Sequence, residues 1–154
     1  MDETKIAIRV TDVAALEQLD AFVHDQPFVL SGIVFKADVV TIPVRRYSGP
    51  SRLIQRRWLS SRFELDLIQS WVYVRKVHTW RVENDEGIDS YSISNWSYEK
   101  GLLRLISCEN TVLIFDVSSI DVELVDTEAI CGKAKFTRWP FGIESWRYEL
   151  DDLT

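Results

Sequence analysis

Fifteen residues, Phe28 to Ile42 (FVLSGIVFKADVVTI), are matched sixty-three positions later by Tyr91 to Leu105 (YSISNWSYEKGLLRL). At that offset Phe28 meets Tyr91, Leu30 meets Ile93, Ser31 meets Ser94, Gly32 meets Asn95, Ile33 meets Trp96, Phe35 meets Tyr98, Val39 meets Leu102 and Ile42 meets Leu105. Aromatic and branched residues alternate on both sides of a turn-forming pair, Ala37-Asp38 in one copy and Lys100-Gly101 in the other, so each copy reads as strand, tight turn, strand. Two amphipathic hairpins each leave one apolar face uncovered, and packing those faces together is the simplest way to make one core.

A weaker second half extends the pattern. Phe63 to Leu67 (FELDL) resembles Leu113 to Val117 (LIFDV) at an offset of fifty, and Val72 to Thr79 (VYVRKVHT) aligns with Ile120 to Thr127 (IDVELVDT) at forty-eight. The expected repeat units run from about 28 to 82 and from about 91 to 128, joined by the polar connector Glu83 to Asp89 (ENDEGID). Cys131 to Leu150 has no counterpart in either unit and reads as a C-terminal extension of two strands around Pro140 and Gly142.

Before the first unit, Lys5 to Val10 alternates apolar and polar residues as a short strand does. Thr11-Asp12 then offers helix N-caps ahead of Val13 to Val23. Val13, Leu16, Leu19, Phe22 and Val23 recur mostly at steps of three, which predicts one helix packed on the sheet. The fold expected for residues 1–154 is therefore one mainly β domain, an antiparallel sandwich or partly open barrel of two repeated units with one N-terminal α-helix. The alternative is an α+β fold in which Pro50 to Ser60 is also helical. Six tryptophans and 12% aromatic residues suit a β-rich core.

Charge is distributed unevenly. No acidic residue lies between Asp38 and Glu64, while Arg45, Arg46, Arg52, Arg56, Arg57 and Arg62 do, so that segment carries +6 and the rest of the chain −12. It coincides with thirteen residues that the first unit holds in excess of the second. The planar guanidinium fork suits carboxylate or phosphate, and Tyr47 and Trp58 beside the arginine pairs can stack on bases or on guanidinium groups. These eight residues of the insertion 45–62 are the candidate anion or partner contacts. The arginines have two calls on them: the protein's own surplus carboxylates, or an anionic partner. Trp139, Phe141 and Trp146 of the C-terminal extension are candidate interface aromatics.

Catalytic signatures are sparse. With two histidines, two cysteines and no C-x-x-C or H-x-x-x-H spacing, no metal site and no cofactor is expected. Without a P-loop, G-x-G-x-x-G or G-x-S-x-G, the chain leans away from an enzyme. His78, opposite Asp126 in the repeat, reads as a strand-end histidine. Asp66 and Asp116 fall at equivalent places, as a carboxylate pair for acid–base chemistry would require. Cys131 beside Lys133 lacks a histidine base within sequence reach. Cys108 and Cys131 are expected to be reduced thiols.

MDETKIAIRV has neither the basic start nor the long apolar run of a secretory signal, and no stretch of eighteen apolar residues occurs. The expectation is a soluble, cytoplasmic, non-enzymatic interaction module that self-associates or binds a protein, with no membrane contact. A small-ligand or enzyme domain with a cavity between sheets is one alternative. Anion or nucleic-acid binding through the insertion is the other, disfavoured for the whole surface by the net charge of −6.

Overall fold

A computed structural model describes residues 6–150. The chain starts as β1 (Ala7–Val10) and helix α1 (Val13–Val23), which Asp12 caps by accepting the Ala15 amide at 2.8 Å. Leu16, Leu19 and Val23 are the helix's buried residues, whereas Val13 and Phe22 are 54% and 38% exposed. At about 100° per residue the three buried positions lie within roughly 60° of arc, while Val13 and Phe22 fall about 90° to either side. Steps of three drift off a helical face.

The remaining strands are β2 (Pro27–Val29), β3 (Val34–Lys36), β4 (Val39–Arg56), β5 (Ser61–Val74), β6 (Val77–Glu83), β7 (Ser90–Glu99), β8 (Leu102–Ser107), β9 (Val112–Val117), β10 (Val122–Arg138) and β11 (Glu144–Leu150). All pair antiparallel, in the order β1-β10-β5-β4-β2-β7-β8-β9-β6, with β3 on β4 and β11 on β10, and the sheet does not close into a barrel. The protein is mainly β, with one α-helix among the described residues. Pro50 to Ser60 is not helical, because Ser51 to Arg56 continue β4.

Both short hairpins turn at the expected pairs. Ala37 and Asp38 (φ 51° and 61°) and Lys100 and Gly101 (φ 51° and 78°) place two successive residues in the left-handed region, as a twisted two-residue hairpin requires. The first copy is otherwise interrupted, since a 3-10 turn at Leu30–Gly32 separates β2 from β3 where β7 runs unbroken. Gly32 is needed there for space, because a Cβ would come within 2.7 Å of Pro43 Cγ. Ser31 donates its amide and hydroxyl to Asp89 at 2.8 Å, whereas Ser94 lies within β7 and its carbonyl meets His24 Nδ1. The two serines have unrelated surroundings.

At the middle of the sheet Phe28 faces Tyr91, both fully buried and stacked at 5.8 Å. From this pair outward the order is β2, β4, β5, β10 on one side, with β1 beyond, and β7, β8, β9, β6 on the other, so the fourth strand on each side comes from the opposite half of the chain. Ladder register corrects the longer alignments. Ile42 faces Val72, but Leu105 faces Leu113, so the place of Leu113 is that of Val72 and not of Phe63. Similarly Val122 faces Val74 while Trp80 faces Phe115, which aligns β10 with β6 and not with the end of β5. Ile42 and Val72 are thirty residues apart and Leu105 and Leu113 eight, so the excess in the first half is twenty-two residues, larger than thirteen.

That excess is a projecting arm. β4 and β5 continue past the main core as a hairpin. β10 follows β5 through two register shifts near Ile130, and β11 completes a four-stranded ribbon. The first strand expected in the C-terminal extension is thus the far half of β10, continuous with Val122.

Candidate functional site

The sheet changes its buried side where the arm begins. In the body the inward rungs are Val40-Val74-Val122, Ile42-Val72-Leu124 and Val44-Ser70-Asp126. In the arm they are Tyr47-Leu67, Leu65-Ala134-Tyr148 and Phe63-Phe136-Trp146, on the opposite face of β4 and β5 because successive side chains alternate. Tyr47 and Trp146 sit on the ribbon's two edge strands, yet their rings stack at 5.5 Å and Tyr47 Oη lies 2.7 Å from Tyr148 Oη. The ribbon is therefore curled over a second small core of Leu65, Leu67, Cys131, Ala134 and Phe136. Trp146 stacks in turn on Phe136 (4.4 Å), Phe136 on Phe63 (5.0 Å), and the Arg138 guanidinium covers both phenyl rings.

Two hairpin tips lie side by side at the end of this stack. Residues 57–60 join β4 to β5, with the Arg57 amide donating to the Ser60 carbonyl at 2.8 Å. Residues 139–143 join β10 to β11 through a turn in which Phe141 (φ 67°) and Gly142 (φ 74°) are left-handed and the Trp139 amide donates to the Ile143 carbonyl. Between the tips is a shallow cleft of about 370 Å³ lined by Arg56, Arg57, Trp58, Leu59, Arg138 and Trp139, among others. Trp58 is 93% and Phe141 101% exposed, and Leu59, Ile143 and Trp139 add further apolar surface. No family model, curated protein or solved structure matches this chain.

The six arginines of the insertion divide by place. Arg46 is buried, its Nη1 donating to both Asp126 carboxylate oxygens at 2.7 and 2.5 Å and its Nε to the Phe22 carbonyl. Arg52 bridges Glu64 and Asp66 on the polar face of the arm. Those bonds hold the Glu64 carboxyl below its usual range, against the opposing cost of desolvation. Arg45 is buried at the arm base with Nε unpartnered among the described residues, and Arg62 lies half-buried on the polar face of β5. Arg56 and Arg57 alone stand at the tip, exposed, with no side-chain hydrogen bond or ion pair among the described residues. Tyr47 is an element of the arm's core, and burial followed by its bond to Tyr148 raises its phenol well above the usual range. Trp58 and Trp139 line the cleft, Phe141 stands exposed on the same turn as Trp139, and Trp146 belongs to the stack of Tyr47, Phe136 and Phe63.

The remaining candidates do not converge. Asp66 binds Arg52 on the arm, while Asp116 faces Thr79 and Leu102 at the far end of the sheet. His78 Nε2 meets Ser118 Oγ at 2.8 Å on an exposed strand, and Asp126 is committed to Arg46, Ser70 and the Ile6 amide. Neither Cys108, which is exposed, nor Cys131, which is buried, forms a disulfide. Burial first, then Asp25 and Glu109, pushes the Cys108 thiol up, which disfavours the thiolate. Among the described residues no group of three or more His, Cys, Asp or Glu is placed to hold a metal, and no helix is long and apolar enough to cross a membrane.

Sequence reading missed Leu59, Ile143 and Arg138 as tip residues, although the two apolar ones flank Trp58 and Phe141 at the points of chain reversal. Pairing of the two reversals depends on the β5–β10 ladder, which brings Ser61 opposite Arg138 across seventy-seven residues of chain.

Proposed function

We propose that this protein is a non-enzymatic interaction module that self-associates through the tip of its arm. One observation carries the reading: Trp58 and Phe141 stand almost wholly in water on adjacent hairpin tips, beside Arg56 and Arg57, which are unpaired among the described residues where Arg9, Arg46, Arg52, Arg75, Arg81 and Arg138 meet carboxylates. Large aromatics flanked by arginine are the composition of interface hot spots, and burying two of them offsets much of the cost of association. The arm's stacked core supports the same reading, since it holds both tips in place without a partner. Arg56 and Arg57 at the tip of a chain of net charge −6 make a small footprint for a polyanion, and the tip also carries Trp58, Leu59, Phe141 and Ile143. The body's core between its strands is filled by side chains at or near zero exposure, which does not favour a ligand cavity there.

The test is light scattering after size exclusion, over a wide concentration range, of wild type and of Trp58→Ser/Phe141→Ser. Mass should rise with concentration in the wild type and stay at 17.9 kDa in the variant. A wild type that remains monomeric at high concentration contradicts the proposal.

We also read the chain as a duplicated unit whose halves exchange their last strands. The outward order from Phe28-Tyr91 and the matched left-handed turns support this. The interrupted first hairpin and the unlike serines count against it locally. An experimental structure in which 39–44, 72–74 and 77–83 fail to superpose on 102–107, 113–115 and 119–125 within about 3 Å would overturn it.

A further inference from the structure

Resting on the reading of the tip as a self-association site, we infer that the tip of one copy docks on the acidic base of a second copy's arm, reciprocally, in a two-fold dimer. A two-fold interface presents the same surface from both subunits. Tip on tip would set Arg56 and Arg57 against their own copies, which like charge opposes. Tip on base joins unlike surfaces twice.

The base is where α1 ends. Gln26 Oε1 accepts the Tyr47 amide at 3.0 Å, so the segment after the helix is fastened to the root of the arm. On that segment Asp25 is exposed, with Glu109 beside it and Glu17 one and a half turns back from the helix end. α1 carries no basic residue, His24 lies 3.5 Å from Asp25, and of the two arginines at the arm base Arg46 is neutralised by Asp126 while Arg45 is buried. The raised Cys108 thiol agrees with this negative field, since Asp25 and Glu109 add to the effect of its burial. Phe22, 38% exposed at the same end of the helix with the Arg46 guanidinium 6.0 Å from its ring centre, supplies the apolar surface left for Trp58 or Phe141.

Spacing fits as well. From Ser48 to Arg56 the strand extends roughly 25 Å. A two-fold axis near the midpoint of two arms lying antiparallel therefore brings each tip to the other's base.

The experiment is sedimentation velocity on wild type, Arg56→Glu/Arg57→Glu, Glu17→Lys/Asp25→Lys, and an equimolar mixture of the two variants. Each variant alone should associate at least about tenfold more weakly than wild type. The mixture should recover to within about threefold, because a heterodimer of the two pairs both tips with bases of opposite charge. Circular dichroism melting of each variant checks that it is folded, and Asp25→Asn provides a milder substitution expected to weaken association in the same direction. If Trp58→Ser/Phe141→Ser abolishes association while the charge variants behave as wild type, self-association stands and the acidic base is not its partner. A mixture as weak as the single variants also overturns the inference. A monomeric wild type overturns both readings. If that monomer is retained on heparin through Arg56 and Arg57, the tip belongs to a polyanion.

Discussion

Asp126 offers the sharpest test of how the arm is anchored. Its side chain is 3% exposed and accepts from Arg46 Nη1, from Ser70 Oγ at 2.7 Å and from the Ile6 amide at 3.2 Å, while its own amide donates to the Ile6 carbonyl at 2.9 Å. One carboxylate thus ties the entry into β1 to β4 and β5 at the rung where the sheet's buried side changes over. Asp126→Asn keeps the shape and leaves the Arg46 guanidinium, 11% exposed, without a counter-charge. Removing one member of a buried pair costs about 3–5 kcal/mol, which for a chain of this length lowers the melting temperature by roughly 6–20 °C. Replacing both, as Arg46→Met/Asp126→Leu, removes the uncompensated charge and leaves only the Ile6 amide, the Ser70 hydroxyl and the Phe22 carbonyl to find other partners, so the double variant should be more stable than Asp126→Asn. Thermal unfolding followed by tryptophan fluorescence measures all three proteins. A melting temperature for Asp126→Asn within about 2 °C of wild type, or a double variant no more stable than Asp126→Asn, would refute the reasoning.

Other consequences follow from particular residues. Phe136→Ala, which empties the arm's stack, should cost about 3–5 kcal/mol or unfold the arm alone, and amide exchange resolved by residue tells whether 61–67 and 132–138 lose protection before the body does. Replacing Ala37-Asp38, both left-handed, by Asn-Gly should stabilise by about 0.5–1 kcal/mol in thermal unfolding, and a loss would contradict the turn geometry. Asp121, buried beneath Arg9 (2.8 Å), has its carboxyl held below the usual range chiefly by that guanidinium. A depressed folded pKa contributes stability that is whole above the unfolded value near 3.8 and is lost as pH falls through the folded one. The stability gap between wild type and Asp121→Asn should accordingly be constant near neutrality and shrink only below about pH 4, and a gap that widens on acidification would reverse the sign.

Much of the body was legible because its signals are local. α1 was bounded correctly by Asp12 and the Asp25–Pro27 break, and the turn pairs by their alternating flanks. The arm was not, for a physical reason. Arg45 to Arg62 shows little alternation, since from Gly49 to Leu59 every residue of the arm's edge strand and tip is exposed, and the arm's small core is built instead by β5 and β10 with Tyr47 and Tyr148 against it. At Val44 to Tyr47 the buried side passes from even to odd positions, and Arg45 and Arg46 are both buried there for different causes. A run of arginines in which one neutralises a core aspartate, one bridges surface carboxylates and two stand free looks uniform in one dimension. Trp58 and Phe141 were singled out in separate segments. Only the long ladder sets them on neighbouring tips.

The most direct measurement is amide hydrogen exchange of the wild type at two concentrations, one well below and one well above the onset of association. Tip-mediated self-association expects new protection confined to 57–60 and 139–143 and to whatever surface receives them, with the body's strands unchanged. Protection that rises elsewhere while both tips exchange at the same rate in dilute and concentrated samples would contradict it.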